Sequence, residues 1–295
     1  MPPTVGHRHG KLGWTNWPNT DREVRRDMNE PHITNSADVD IDALCTHMRI
    51  AAFDLDGTLA RSKKPMHADI ATALSELTTL IPVAIVSGGI MQLVESQVTD
   101  MLTPEANRAN MHLMPTTGTR YYRWNNGTWT TVYERDLSES DRAAAIASLT
   151  RRAHELGIWE DDTWGPIIED RGSQITFSAL GQHAPVDAKE RWDPTNEKKN
   201  ALAKAVQHDV PNLQVRSGGS TSVDISARGI DKSYAVHELA KALGTTIQSI
   251  AFIGDRMDPD GNDYPAAAAG TIAIRVHGPE DTLTLINRIN TRLRH

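Results

Sequence analysis

The sequence predicts an α/β protein in which a parallel sheet is interrupted by a second, inserted α+β domain. Short apolar strands alternate with amphipathic helices from Arg49 onward, which is the order of a parallel sheet with right-handed crossovers. A hairpin signal and mixed strands and helices then replace this rhythm, and it returns near Asp231. The pattern therefore predicts three parts: an N-terminal extension over residues 1–48, a core domain over 49–119 and 224–295, and an inserted cap domain over 120–223.

The first part of the core is predicted as two strand–helix pairs. Ile50–Phe53 and Pro82–Val86 are short apolar runs, typical of strands that are buried on both faces of a parallel sheet. Apolar residues at helical spacing follow each of them, over Ala68–Leu80 and from Met91 to Val98. An active site is then expected where the two strands end, at the carboxyl edge of the sheet and under the insertion.

The inserted domain opens with a hairpin signal. Asn125-Asn126-Gly127 separates two runs of strand-forming residues, and such a turn needs the positive φ angles that asparagine and glycine tolerate. Periodicity predicts the rest of the insertion: helices near Ser138–Leu156 and Thr195–Gln207, and strands near Ser173–Leu180, Leu213–Arg216 and Thr221–Ser226. The core then resumes with a helix over Asp231–Leu243, strands over Ser249–Ile253 and Thr271–Val276, and a closing helix over Asp281–Arg292.

Composition restricts the partners and the compartment of the protein. The 295 residues carry a formal net charge of -7 and show no basic stripe, so we expect no nucleic-acid partner. No apolar run approaches the length of a membrane span, and the N-terminus lacks the pattern of a signal peptide. We therefore expect a cytoplasmic protein without a membrane partner. Residues 1–48 contain scattered prolines and no sustained period, which predicts a mostly irregular extension.

The first predicted strand runs directly into Phe53-Asp54-Leu55-Asp56-Gly57-Thr58. Two carboxylates that are two residues apart, just past a buried strand, leave the sheet on the same side. Such a pair can divide the two jobs of phosphoryl transfer, because Asp54 can attack phosphorus while Asp56 gives and takes a proton. Thr58 offers a hydroxyl to the phosphate after a tight turn that Gly57 permits.

Two further positions supply groups that stabilise an anion. The second strand ends in Ser87-Gly88-Gly89, where a hydroxyl and flexible backbone N–H groups at the start of a helix form a cradle for phosphate. Lys232 opens the helix after the insertion, where it is a candidate to neutralise phosphate charge and to hold the nucleophile. Together with the two carboxylates, these groups predict a site for phosphoryl transfer.

The strand Ser249–Ile253 runs into an acidic stretch that begins with Gly254-Asp255. Asp255 stands at the strand end and would reach the same cation as Asp54 and Asp56. Oxygen ligands of this kind predict a site for Mg²⁺. Asp263 is a further candidate ligand. The two aspartates between them, at positions 258 and 260, are expected to be surface residues.

The order and spacing of these four motifs closely resemble those of the haloacid dehalogenase (HAD) superfamily, over about residues 49–290. The position of the insertion is similar to that of the type IIB cap. The resemblance implies a Rossmann-like core with a parallel sheet and an inserted α+β (C2/IIB-type) cap. Within the superfamily, Gly254–Pro265 most resembles the acidic motif of the eukaryotic-type α-phosphomannomutases, which has the same loop length and the same Gly-Asn-Asp.

The mutase resemblance also implies which cap residues bind the substrate. Gly218–Asp224 is similar to the sugar-binding strand of the mutases, which places Ser222 and Asp224 on sugar hydroxyls. Glu169–Gln182 is similar to the cap hairpin that holds the distal phosphate, and Arg171 matches one of its arginines. The implied substrate is a small phosphorylated sugar that is held by both domains.

The chain departs from the mutase pattern at two places. Gln182 stands where another phosphate-binding arginine is expected, and either Lys189 or Arg191 could fill the next basic position. The serine of the second motif lies two residues earlier than in the mutases. Replacing an arginine by glutamine removes a charge-assisted hydrogen bond to phosphate, worth ~1.5–3 kcal/mol. A mutase must hold a bisphosphate during turnover, whereas a phosphatase need not.

These observations favour a Mg²⁺-dependent sugar-phosphate phosphatase that acts through an aspartyl-phosphate. The alternative is a phosphomannomutase, which would use the same site to interconvert mannose 1-phosphate and mannose 6-phosphate. A third hypothesis is a non-catalytic sugar-phosphate-binding protein, which the presence of both Asp54 and Asp56 disfavours. The resemblance implies a monomer or a homodimer formed through the cap.

Overall fold

The structure is a computed structural model and describes residues 30–295, apart from the side chain of Val186. Within the described residues, the first part of the chain forms six strands: β1 (Ile33–Asn35), β2 (Ile50–Phe53), β3 (Val83–Val86), β4 (Met111–Met114), β5 (Arg120–Asn125) and β6 (Thr128–Glu134). Its helices are α1 (Ile41–His47), α2 (Ala68–Leu80) and α3 (Met91–Val94). A π-helical turn over Glu95–Thr99 continues α3.

The middle of the chain forms the cap. Its helices are α4 (Glu139–Glu155), α5 (Val186–Trp192) and α6 (Glu197–Asp209). Its strands are β7 (Ile168–Asp170), β8 (Gln174–Ser178), β9 (Leu213–Ser217) and β10 (Ser222–Ala227). The chain then returns to the core with α7 (Lys232–Leu243), β11 (Ile250–Gly254), α8 (Tyr264–Ala268), β12 (Ile272–Arg275) and α9 (Pro279–Leu293).

The core domain of the described chain is built on one sheet in the order β1-β12-β11-β2-β3-β4-β5-β6. Neighbouring strands are parallel from β1 to β4, and β5 and β6 are antiparallel at one edge. Helices cover both faces, which is why β2 and β3 are apolar throughout. Phe53 packs in the apolar cluster that contains α2 and α9, whereas Ala52 packs in the cluster that contains α7. The structure confirms the predicted α/β class and its parallel core.

The cap is a smaller antiparallel sheet, in the order β7-β8-β10-β9, with α4 and α6 on one face. Alternate side chains of β8 and β10, such as Phe177 and Val223, are fully buried under these helices. The intervening side chains, such as Thr176 and Asp224, lie on the opposite face and are polar. One face of the cap sheet is therefore apolar core, and the other carries hydrogen-bonding groups.

The structure corrects both boundaries of the inserted domain. The β5–β6 hairpin, which the sequence pattern places in the cap, pairs with β4 of the core sheet through Leu113 and Tyr122. At the other end, β10 belongs to the cap sheet as far as Ala227. The boundary at residue 120 was misplaced because a turn signal predicts a hairpin without specifying the sheet that it joins, and the boundary at residue 223 cut through the strand that was predicted over Thr221–Ser226.

The structure also corrects the irregular extension over 1–48, for the part that it describes. β1 pairs in parallel with β12, and α1 packs on α9. Arg288 in α9 donates to the backbone carbonyls of Ser36 and Val39. A three-residue strand and a seven-residue helix are too short to show a period, so tertiary contacts rather than local pattern define them. Residues 1–29 of the extension lie outside the described residues.

No helix within residues 30–295 combines the length and the apolar character that a membrane span requires.

Candidate active site

Three strand ends bring polar residues to the carboxyl edge of the core sheet. Asp54 follows β2, and Asp255 follows the neighbouring strand β11. The backbone N–H of Asp54 donates to the carbonyl of Ile253 at 2.9 Å, which keeps these two strand ends together. Ser87 follows β3 on the other side of β2. The structure thus brings the first, second and fourth motifs to one edge of the sheet.

Lys232 is the first residue of α7, which begins at the N-cap Asp231. Its Nζ donates to Oδ1 of Asp54 and to Oδ1 of Asp263, at 2.5 Å in each case, and all three side chains are almost fully buried. Burial lowers the pKa of Lys232, but the two carboxylates outweigh that effect and raise the pKa to about 12. The lysine therefore keeps its positive charge in the interior.

The negative charge of the carboxylates in the site exceeds the positive charge that Lys232 supplies. Burial raises the pKa of Asp54 above its usual value, although Lys232 opposes this shift. Burial also raises the pKa of Asp255, and the nearby charge of Asp263 adds to the effect. Three carboxylates share one buried ammonium, so bringing a divalent cation to this place would lower the electrostatic energy of the site.

The turn that follows Asp54 brings its backbone against Asp255. Gly57 has a φ of +88°, and a Cβ at this position would lie 2.5 Å from Oδ2 of Asp255. Only glycine allows this approach without displacing the carboxylate. The next residue, Thr58, is fully buried and donates its hydroxyl to Oδ1 of Asp255 at 3.3 Å.

The residues present fit a divalent cation. Carboxylate oxygens of Asp54, Asp255 and Asp263 lie within 4.8 Å of one another, and hard oxygen ligands are those that Mg²⁺ prefers. Both oxygens of Asp263 already have protein donors, because Oδ1 accepts from Lys232 and Oδ2 accepts from the N–H of Arg256 at 2.9 Å. Asp54 and Asp255 are thus the side chains better placed to hold the ion, and Asp263 orients Lys232.

The carboxylate of Asp56 stands apart from this cluster. Its Oδ1 accepts from the backbone N–H of Lys63 at 2.8 Å and from Nε2 of Gln97 at 3.1 Å. Asp56 is half-buried, whereas Asp54 is 4% exposed. The two aspartates of the first motif therefore have different surroundings, since one faces Lys232 and the other is held by neutral donors.

Ser87 and Gly88 lie where the cap meets the core. Ser87 is buried, and its Oγ accepts from the N–H of Gly89 at 3.0 Å. Arg171, from the turn between β7 and β8, reaches across to the carbonyl of Gly88 at 3.4 Å. Its guanidinium also donates twice to Oε2 of Glu169, at 2.7 and 2.9 Å. Arg171 is therefore beside the predicted phosphate cradle, but a neighbouring carboxylate already balances its charge.

A second cluster of basic side chains lies at Gln182, where the core and the cap are also in contact. Lys63 from the core and Lys189 from the cap both donate their Nζ to the backbone carbonyl of Gln182, at 3.4 and 3.1 Å. Burial and the charge of Lys63 lower the pKa of Lys189 to about 8. Arg191 is exposed and pairs with Asp187 on its own helix, so Lys189 is the basic residue that the structure brings to this place.

Ser222 and Asp224 lie on the polar face of the cap sheet, in β10. Oδ1 of Asp224 accepts from the hydroxyl of Thr176 at 2.7 Å and from Nε2 of Gln174 at 2.8 Å. These donors leave Oδ2 of Asp224 available to a ligand. Ser222 is half-buried on the same strand face, two residues before Asp224.

Two contacts of the site were not predicted from the sequence: that of Gln97 with Asp56, and those of Lys63 with Asp56 and the cap. Gln97 lies in the π-helical turn, which shifts the helical register, so regular periodicity does not indicate that this glutamine faces Asp56. Lys63 lies in a basic loop and has a φ of +56°, which is uncommon for a residue other than glycine. The spacing of the motifs alone could not have indicated either contact.

Comparison with known proteins agrees with this architecture. Residues 70–292 match the family model described as eukaryotic phosphomannomutase, which covers well over half of the chain. The chain is 25% identical over 240 residues to the phosphomannomutase of Spinacia oleracea, covering 79% of this chain and 92% of that protein.

Solved structures show the same fold at lower identity. A mutant IMP-nucleotidase of Plasmodium falciparum, solved with IMP bound, is similar with a TM-score of 0.62 and 15% identity, covering 86% of this chain and 69% of that one. The trehalose-6-phosphate phosphatase of Aspergillus fumigatus is similar with a TM-score of 0.53 and 15% identity, covering 88% and 99%. Fold, motif geometry and family model lead to one conclusion: the chain is an enzyme of the HAD superfamily and belongs to the eukaryotic phosphomannomutase family.

Proposed function

We propose that this enzyme is a phosphomannomutase, which interconverts mannose 1-phosphate and mannose 6-phosphate through an aspartyl-phosphate at Asp54. The sequence pattern favoured a phosphatase because Gln182 replaces an expected arginine. The comparisons favour the mutase that it ranked second. The observation that carries the proposal is that Lys63 and Lys189 both donate a hydrogen bond to the Gln182 carbonyl. Two ammonium groups there supply the positive charge that the missing arginine would have provided.

A mutase needs two places for phosphate, because its intermediate is a sugar bisphosphate. The buried Lys232 supports one place beside Asp54, and the pair of Lys63 and Lys189 supports the other, on the cap side. Two neighbouring ammonium groups repel each other, and an anion between them would remove that repulsion. A phosphatase would gain little from this second place.

The proposed chemistry begins at Asp54. One of its oxygens bonds to phosphorus while the bond between phosphorus and the sugar oxygen breaks, and Asp56 gives a proton to that oxygen. Lys232, Thr58 and Ser87 hold the oxygens of the phosphoryl group. A Mg²⁺ ion held by Asp54, the Asp56 carbonyl and Asp255 would supply charge neutralisation. In the reverse direction Asp56 takes the proton of the accepting hydroxyl, and Asp54 regains its free carboxylate.

The group that accepts the phosphoryl group from Asp54 determines whether the enzyme is a mutase or a phosphatase. If the phosphoryl group moves to the other hydroxyl of the same sugar, the protein is a mutase, and if it moves to water, it is a phosphatase. Closure of the cap excludes water, which favours the sugar. Gln182 remains the observation in favour of the phosphatase, because its side chain cannot replace a guanidinium.

The first test incubates the protein with Mg²⁺ and mannose 1-phosphate, with and without a catalytic amount of hexose 1,6-bisphosphate. We expect conversion to mannose 6-phosphate that the bisphosphate stimulates, with little release of inorganic phosphate. Both products are followed together in one reaction. Release of phosphate without isomerisation would overturn the mutase in favour of the phosphatase.

A second prediction concerns pH. Lys189 is charged below its pKa of about 8 and neutral above it, so the affinity for the distal phosphate should decline on the alkaline side. We expect kcat/KM for mannose 1-phosphate to fall as the pH rises above about 8, since kcat/KM reports the groups of the free enzyme. Arginine stays charged throughout this range, so Lys189→Arg should move the decline to higher pH.

The matched control for this profile is Lys204→Arg, which changes an exposed lysine on the cap helix α6. It should leave the alkaline decline where the wild type has it. An unchanged profile in Lys189→Arg would mean that Lys189 does not contact the substrate.

A further inference from the structure

Gln97 is a buried glutamine that links three parts of the candidate site. It is 2% exposed and lies in the π-helical turn that follows α3. Its Nε2 donates to Oδ1 of Asp56 and to the carbonyl of Lys64, at 3.1 Å in both cases. Its own backbone carbonyl accepts from the N–H of Met66 at 2.9 Å. One residue thus holds the aspartate and the loop that follows the first motif.

The orientation of the Gln97 amide follows from its neighbours. Both groups that it meets are acceptors, a carboxylate oxygen and a backbone carbonyl, so the NH₂ end must face them. The other end, Oε1, is buried and has no hydrogen-bond partner within residues 30–295. An unpaired buried carbonyl is destabilising, and an apolar side chain of similar size would avoid it. Packing alone therefore does not explain a glutamine at this position.

The contact selects which oxygen of Asp56 faces the reaction. Oδ1 accepts both from Gln97 and from the N–H of Lys63, whereas no hydrogen bond within the described residues reaches Oδ2. Two donors on Oδ1 hold negative charge there and prevent the carboxylate from turning. The proton that Asp56 exchanges would then reside on Oδ2, which is the oxygen left for the substrate.

We propose that Gln97 is a positioning residue for proton transfer, which fixes the Asp56 carboxylate so that Oδ2 meets the oxygen of the departing alcohol. This inference rests on the proposed role of Asp56. In the step concerned, a bond forms between an Asp54 oxygen and phosphorus, and the bond from phosphorus to the alcohol oxygen breaks. The proton on Oδ2 of Asp56 moves to that alcohol oxygen. Gln97 exchanges no proton and touches no reacting atom.

The test separates positioning from folding by varying the leaving group. An alcohol needs a proton as it departs, whereas p-nitrophenolate is stable as an anion and does not. Gln97→Met removes both donors and keeps an unbranched side chain of similar volume. Pre-steady-state rates of Asp54 phosphorylation are measured with p-nitrophenyl phosphate, mannose 1-phosphate and glycerol 2-phosphate. The first-order rate constant of this step does not depend on the fraction of protein that is folded, because a smaller folded fraction lowers only the amplitude.

We expect Gln97→Met to slow phosphorylation by the two alcohol esters about 10- to 100-fold, which is part of what a placed acid contributes. The rate with p-nitrophenyl phosphate should stay within about threefold of the wild type, and KM should change less than kcat. Gln92→Met, an exposed glutamine on the same helix, is the matched control and should match the wild type with every ester. Gln97→Leu serves as a second variant if Gln97→Met does not fold.

Each other outcome has a definite meaning. An equal loss with all three esters would show general damage to the site and would overturn the positioning role. Wild-type rates with the alcohol esters in Gln97→Met would overturn it as well. If the wild type uses glycerol 2-phosphate and not mannose 1-phosphate, the proposed substrate is wrong, and Gln97 is judged on the ester that is used. A wild type that cleaves no ester would overturn both proposals.

Discussion

Replacing Asp54 by asparagine is expected to abolish the enzyme's phosphoryl transfer, with turnover reduced by roughly 10⁴-fold or more. The amide cannot form the phospho-intermediate, because its nitrogen and carbonyl are poor nucleophiles compared with a carboxylate. The substitution keeps the shape of the side chain and removes a buried charge whose pKa burial already raises. Lys232 retains Asp263 as a partner. We therefore expect a folded, inactive protein.

Turnover of mannose 1-phosphate, burst release of p-nitrophenolate and thermal unfolding measure this prediction together. Asp260→Asn is the matched control, since it changes an exposed aspartate of the same acidic stretch that contains Asp255 and Asp263. It should keep the activity of the wild type. If Asp54→Asn retains turnover, another residue is the nucleophile. If it loses turnover but keeps full biological function in cells, the non-catalytic hypothesis gains support.

The second large effect is expected from Lys232→Met, on stability as well as on activity. The substitution leaves Asp54 and Asp263 buried without their shared ammonium. Breaking a buried ion pair by removing one partner costs about 3–5 kcal/mol in the free energy of unfolding. For a chain of this size that corresponds to a decrease in Tm of about 10 °C. Activity should fall too, because the transferred phosphoryl group loses a neutralising charge.

The sign of the pH dependence follows from the direction of the shift. The pKa of Lys232 is raised in the folded state to about 12, so its stabilisation is complete below the unfolded pKa of about 10.4 and is lost as the pH rises through about 12. The difference in Tm between wild type and Lys232→Met should therefore be constant from above the raised pKa of Asp54, about 7, up to the unfolded pKa of Lys232. It should shrink in acid, where protonation removes the charges of the two carboxylates.

Lys241→Met is the control for this experiment, because Lys241 is exposed in the last turn of the same helix. It should leave Tm and turnover almost unchanged. A stable and active Lys232→Met would contradict the assignment of Lys232 to the site.

Local sequence pattern was sufficient to predict the strands and helices next to the candidate active site. The bounds of β2 and α2 agree residue for residue with the predicted Ile50–Phe53 and Ala68–Leu80. Buried parallel strands are short and apolar, and the motif residues follow them directly, so strand ends could be read from the sequence. For the same reason Asp54 and Asp255 could be proposed as neighbours before their distances were known, and Lys232 was added as the residue that opens the helix after the insertion.

What the sequence could not supply were contacts between segments that are far apart in the chain. The β5–β6 hairpin joins the core sheet through pairing with β4, and no feature of the turn at Asn126 specifies that partner. Lys189 and Arg191 were equivalent candidates by spacing. Only the direction of the helix separates them, because Lys189 reaches the Gln182 carbonyl whereas Arg191 pairs with Asp187.

The position of Lys63 determines the order in which the contacts of the site are lost when the cap moves. Its backbone N–H binds Asp56 within the core, while its ammonium touches the Gln182 carbonyl of the cap. A rotation of the cap away from the core breaks the second contact and leaves the first, because Asp56 and its donors all belong to the core. The distal phosphate site proposed at Gln182 would then open first, while the Asp56 carboxylate keeps its donors from Lys63 and Gln97. For the proposed mutase, Asp56 would therefore be in place for the second phosphoryl transfer as soon as the intermediate has turned around and the cap has closed again.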